Sequence, residues 1–136
     1  MLLPIMIGAV LGALLAIFSR TRGAAEARVL TLGLVVTALL YVGMALARGN
    51  RQWLMTELLG FALFGSLAWL GLRVSLWWLA LGWLGHVAWD VGLHLDRAQP
   101  LVGAWYPLFC VGFDFVVAGF LVNASLGPAR FRPEAA

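Results

Sequence analysis

The chain contains no lysine, a single cysteine and little charge of either sign. Charged residues make up 11% of its 136 residues, against roughly 25% in soluble domains. Hydrophobic residues reach 63%, and the mean hydropathy is +0.97. A small soluble globule keeps too much of its surface wet to hide that apolar content. The composition therefore excludes an ordinary water-soluble domain, and the expected solvent is lipid. The lone Cys110 excludes an intrachain disulfide. The sequence has no phosphate-binding glycine loop of the Walker type and no cysteine pair for redox work. The basic residues are all arginines, and the net charge is +3. They fall in short gaps between apolar runs, so they read as topology signals, and no nucleic-acid partner is expected.

What is present is a series of apolar runs. A hydrocarbon core of ~30 Å needs about 20 residues of helix to cross it. Runs of that order lie at residues 1–19, 29–47, 53–72, 75–95 and 108–126. The expected fold is an all-α polytopic transmembrane bundle of about five spans, followed by a polar tail over 127–136. Arg20-Thr21-Arg22-Gly23, Arg48-Gly49-Asn50-Arg51 and Arg73 mark the breaks, as do Asp96-Arg97 through Pro100 and Pro107. The short Arg73-Val74-Ser75 link predicts a tight hairpin between spans three and four. Span one lacks a positive leading segment, since its arginines follow the apolar run, and it reads as a helix of the mature protein. Gly8 and Gly12 form a GxxxG pattern there, suited to close helix contact.

Five crossings put Arg20, Arg22, Arg28, Arg73, Arg130 and Arg132 on one side and Arg48, Arg51 and Arg97 on the other. The richer side is expected to be cytoplasmic, which places the N-terminus outside and the C-terminus inside.

Chemistry concentrates in five side chains within the spans: Glu57 in span three, His86, Asp90 and His94 in span four, and Asp114 in span five. A charge at the bilayer centre costs at least ~2.5 kcal/mol, so three carboxylates demand compensation. Glu57 follows Arg51 by six residues and Asp90 precedes Asp96 by six, each roughly 9 Å along a helix. Asp114 follows Pro107 by seven, roughly 10 Å. Three carboxylates on three spans thus converge near one depth, on the side expected to face outward. The i, i+4, i+8 spacing of His86, Asp90 and His94 predicts a ridge on one helix face. Tyr41, on span two, reaches a similar depth and can join the network through its hydroxyl.

Two readings follow. In the first, His86, Asp90, His94 and Asp114 bind a divalent metal, zinc foremost and otherwise iron or manganese, with Glu57 as a ligand or general base. Catalytic roles then fall to Glu57 and Asp90. In the second, the same carboxylates serve a proton-coupled transporter or channel, which with five spans calls for a homodimer. A plain reading stands beside both, in which the cluster only fixes helix register in a scaffold. Trp53, Trp77, Trp78, Trp105 and Tyr106 are expected at the membrane interfaces. Trp89 and Cys110 are expected in supporting positions, with Cys110 four residues before Asp114. Gly82, Gly85 and Gly92 are expected to admit a neighbouring backbone.

The run Gly85-His86-Val87-Ala88-Trp89-Asp90-Val91-Gly92-Leu93-His94, followed by Trp105-Tyr106-Pro107, Cys110 and Asp114, resembles a family of small bacterial membrane proteins of unknown function. That resemblance implies a bacterial inner-membrane location. A looser resemblance links the His and Asp pattern to intramembrane hydrolases of the alkaline ceramidase type, which use His and Asp residues around zinc, and it implies a metal site. The chain departs from that second pattern in having about five spans rather than seven, only two histidines and no matching serine.

Overall fold

The structure, a computed structural model, describes residues 2–95 and 100–127. The tail expected over 127–136 lies beyond Gly127 outside the described residues, as do Asp96 and Arg97. Five helices follow one another: α1 (Leu2–Arg20), α2 (Glu26–Ala47), α3 (Arg51–Arg73), α4 (Leu76–Trp89) and α5 (Trp105–Leu126). Among the described residues there is no strand. α1, α2, α3 and α5 are long and apolar enough to cross a membrane. α4 has 14 α-helical residues, continued without a break by a six-residue π-helical turn, Asp90–Leu95. Together the two segments reach the ~20 residues that a crossing needs.

Local chemistry sets the boundaries. Asn50 caps α3, its side-chain oxygen accepting from the Trp53 N–H at 3.0 Å, and Gly49 supplies the left-handed turn (φ +63°) that ends α2. Ser75 caps α4 by accepting from the Trp77 N–H, and Gly71 leaves room for Leu79 beside it. These two contacts make the tight α3–α4 hairpin. α2, α3 and α5 begin two or three residues before the apolar runs do, and of these three α3 carries a side-chain cap.

α4 packs against α2, α3 and α5, while α1 packs chiefly on α5. The central position of α4 leaves Leu79, Trp83 and His86 buried. One apolar cluster, built on Leu34, Phe64, Leu79, Trp83, Val117 and Leu121, fills the bundle on one side of the ionisable layer. A smaller one, with Tyr41, Ala45, Trp53 and Leu101, closes it on the other. The outer surfaces carry exposed Leu, Ile, Val and Met from every long helix, as lipid contact requires.

α1 and α5 run parallel. Gly8 faces the Phe109 carbonyl, Gly12 faces Phe113, and Arg20 lies over the Phe120 ring at 4.6 Å. Parallel first and fifth helices fit an odd number of crossings. The glycines of the GxxxG pattern, answered by Gly112 against Ile5, bring the two backbones into contact. A Cβ at Gly12 would stand 2.6 Å from the Phe113 oxygen, whereas Gly43 and Gly119 have nothing within 4 Å. Gly8→Ala and Gly12→Ala should therefore each cost about 1–3 kcal/mol through overpacking. Gly43→Ala and Gly119→Ala should be neutral or gain up to about 1 kcal/mol of helix propensity. Thermal unfolding of the four variants in one detergent compares them directly.

Candidate metal centre

His86, Asp90, Glu57, His94 and Asp114 are each 2% exposed or less. α4, its π turn, α3 and α5 carry them to the bundle interior, where the depth argument places three carboxylates. The structure divides them into two groups.

The inner group is His86, Asp90 and Asp114. His86 Nδ1 lies 2.7 Å from Asp114 Oδ2, at hydrogen-bond distance across the α4–α5 interface. The same nitrogen is 3.6 Å from Asp90 Oδ2, one helical turn along α4 and too far for a hydrogen bond. One donor atom from each of the three residues falls within 4.8 Å of the others, so the group can hold a metal ion. Both oxygens of Asp90 and the Oδ1 of Asp114 have no hydrogen-bond partner. Buried carboxylate oxygens are ordinarily bonded, and oxygens without partners in a compact donor set suit a cation. One imidazole and two carboxylates match the donor preferences of zinc, iron and manganese.

The outer group is Glu57 and His94. His94 Nε2 is 3.3 Å from Glu57 Oε1, an ion-pair distance whose geometry is not that of an aligned hydrogen bond. The second carboxylate oxygen of Glu57 accepts from the Trp89 indole N–H at 3.2 Å. Trp89 reaches it by lying across Gly60, where a Cβ would come within 2.8 Å of the indole. The His94 ring stacks on Tyr41 (centroids 4.2 Å apart, planes at 11°) and on Trp53 (5.0 Å, 19°). His94 thus faces α2 and α3, while His86 faces α5.

The π turn accounts for this division. In an α-helix His94 would continue the ridge begun by His86 and Asp90. Hydrogen bonds from i to i+5 put more residues into each turn, so His94 falls short of the ridge and points to Glu57. The other expected side chains are placed as follows. Tyr41 is fully buried, its hydroxyl beside Asp90 and Cys110 but in no aligned hydrogen bond, and its ring 5.8 Å from that of His86. Cys110 is buried one turn before Asp114, within electrostatic reach of Asp90. Trp77, Trp78 and Trp105 are exposed. Trp53 is instead buried against His94, and Leu101 seals the cluster above it. The i, i+4 spacing of Trp53 and Glu57 carries the signal for that placement, since both share one face of α3. Nothing local marks Leu101. Gly82 and Gly85 admit side chains, Leu34 and Phe64, rather than backbone, and Gly92 meets nothing within 4 Å.

The His86–Asp114 contact yields a direct test. Asp114→Leu leaves the imidazole without its acceptor, and the metal-free protein should lose about 1–3 kcal/mol. Asp114→Asn keeps an oxygen at the position and should lose less. Thermal melts of both variants in detergent with chelator present will rank them.

No curated protein and no solved structure is similar to the chain. Residues 1–126, which hold all five helices and both groups of ionisable side chains, match a family of unknown function, and the chain belongs to that family, DUF6010.

Proposed function

We propose that this is a metal-dependent intramembrane enzyme, hydrolase-like, acting on a lipid or another hydrophobic molecule. The observation that carries the reading is the inner group: three buried donors from two helices within 4.8 Å of one another, with three carboxylate oxygens lacking partners. Electrostatics favours a divalent occupant. Two carboxylates and a neutral imidazole around a dication make a set of zero net charge, which a lipid-embedded bundle tolerates far better than bare carboxylates. Three protein donors also leave a coordination position open, the pattern of catalytic rather than structural zinc.

His86, Asp90 and Asp114 are the ligands. The bound ion would lower the pKa of a water molecule or polarise a carbonyl, which supplies the electrophilic half of hydrolysis. The acid–base half falls to the Glu57 side of the layer, within electrostatic reach of His86 and Asp90. Because the ligands are buried and Leu101 covers the outer end, a substrate reaches them only when the cover or the helices part. A membrane-dissolved substrate suits such a site, since the protein's exterior is apolar along every long helix. The loose likeness to alkaline-ceramidase-type hydrolases bears on the metal alone.

Elemental analysis of gently purified protein is the test. The expected result is one zinc, iron or manganese per chain, lost in Asp90→Ala and in His86→Ala. Metal-free wild type that also fails to take up added zinc would overturn the reading and turn attention to proton-coupled transport through the same carboxylates.

A further inference from the structure

The two histidines occupy different surroundings, and this difference carries an inference that rests on the metal reading and extends it. His86 touches two carboxylates of the inner group. His94 touches none of them. Its Nε2 faces Glu57 Oε1 at 3.3 Å without an aligned hydrogen bond, its ring is held by stacking on Tyr41 and Trp53, and its Nδ1 is buried with no hydrogen-bond partner and no ion pair. We infer that Glu57 and His94 form a proton-transfer dyad separate from the metal ligands, with His94 Nδ1 as the atom that exchanges protons with substrate.

An imidazole that serves in acid–base transfer needs one nitrogen against an orienting carboxylate and the other facing the reactants. Glu57 supplies the carboxylate, and it is itself fixed. The Trp89 indole donates to Oε2, which leaves Oε1 as the oxygen turned to His94. Gly60 makes the indole's position possible. Stacking on two rings removes the freedom of the imidazole to rotate out of line. Every contact around His94 therefore restrains the ring, and none uses Nδ1. The loose 3.3 Å alignment is of the kind that tightens when substrate is bound.

The proton balance closes. Before reaction the imidazole has its Nε2–H turned to the Glu57 carboxylate and its Nδ1 unprotonated. The attacking water loses a proton to Nδ1 as its oxygen bonds to the carbonyl carbon of a hydrophobic ester or amide. Nδ1–H then gives that proton to the departing oxygen or nitrogen as its bond to the carbonyl carbon breaks. Over one cycle the dyad is unchanged, and water is divided between acid and alcohol or amine. Glu57 and Trp89 are positioning residues, acting through His94.

With only two histidines in the chain, nitrogen NMR of protein labelled at histidine resolves the roles. Labelled protein in lipid nanodiscs is titrated with zinc alone, and the signals are assigned with His86→Gln and His94→Gln. The expected result is that zinc moves a ring-nitrogen signal of His86 to a metal-bound position and leaves His94 in place. Glu57→Gln, which keeps the side chain's shape and removes its charge, should then move the His94 signals and not those of His86. Trp89→Phe should move them in the same sense by less. Metal-induced shifts at both histidines would overturn the proposal by making His94 a ligand. So would His94 signals indifferent to Glu57→Gln. If zinc moves neither histidine while Glu57→Gln still moves His94, the metal reading falls and the dyad stands.

Discussion

In lipid an ionisable side chain persists only inside a set whose charges cancel, and the architecture of this bundle follows from that constraint. Three carboxylates and two imidazoles lie in the interior, and each sits beside a group of opposite character. Asp114 has His86, and Glu57 has His94. Asp90, between them along the chain, makes no aligned hydrogen bond and lies 3.6 Å from His86 Nδ1. The proposed cation would sit beside Asp90, in the group that can hold a metal ion. The helices meet where these partners require them to meet: α4 sits centrally because it carries three of the five groups, and α3 and α5 flank it because each brings the counterpart of one histidine.

The apolar clusters serve the same constraint from either side. The larger, around Trp83, Phe64 and Leu34, excludes water from below the layer, and Tyr41, Trp53 and Leu101 exclude it from above. A charged pair gains strength where water is absent, and an unbonded one becomes costly there. The seals therefore raise the stakes of every contact between them. The short His86–Asp114 distance and the twofold stacking of His94 are the kinds of contact that such surroundings demand.

Much of this was legible in the sequence, because membrane helices obey a simple ruler. Counting residues from charged break points puts Glu57, Asp90 and Asp114 near one depth, and all three are buried in the bundle. The crossings and the role of Gly8 and Gly12 were readable for the same reason: apolar length and small-residue spacing are local properties. The division of the ridge was not readable. An i, i+4, i+8 series implies a common face only while the helix stays α, and nothing in Asp90–Leu95 announces the wider turn. Trp53 was assigned to the interface because tryptophan near a helix end belongs there on composition, and only its partner His94, distant in sequence, draws it inward. Leu101 was invisible, since a loop residue acquires its role from what the loop covers.

The pairing of α1 with α5 bears on how the molecule is made. α1 leaves the ribosome before the other helices, yet the surface it packs on belongs to α5, which follows them all. Its glycine face must wait in the bilayer, solvated by acyl chains, until that partner is inserted. Asp114 arrives on the same helix, so His86 likewise lacks its acceptor until then. Docking of the glycine seam and completion of the His86–Asp90–Asp114 group thus depend on one insertion event, and a chain halted before it contains neither.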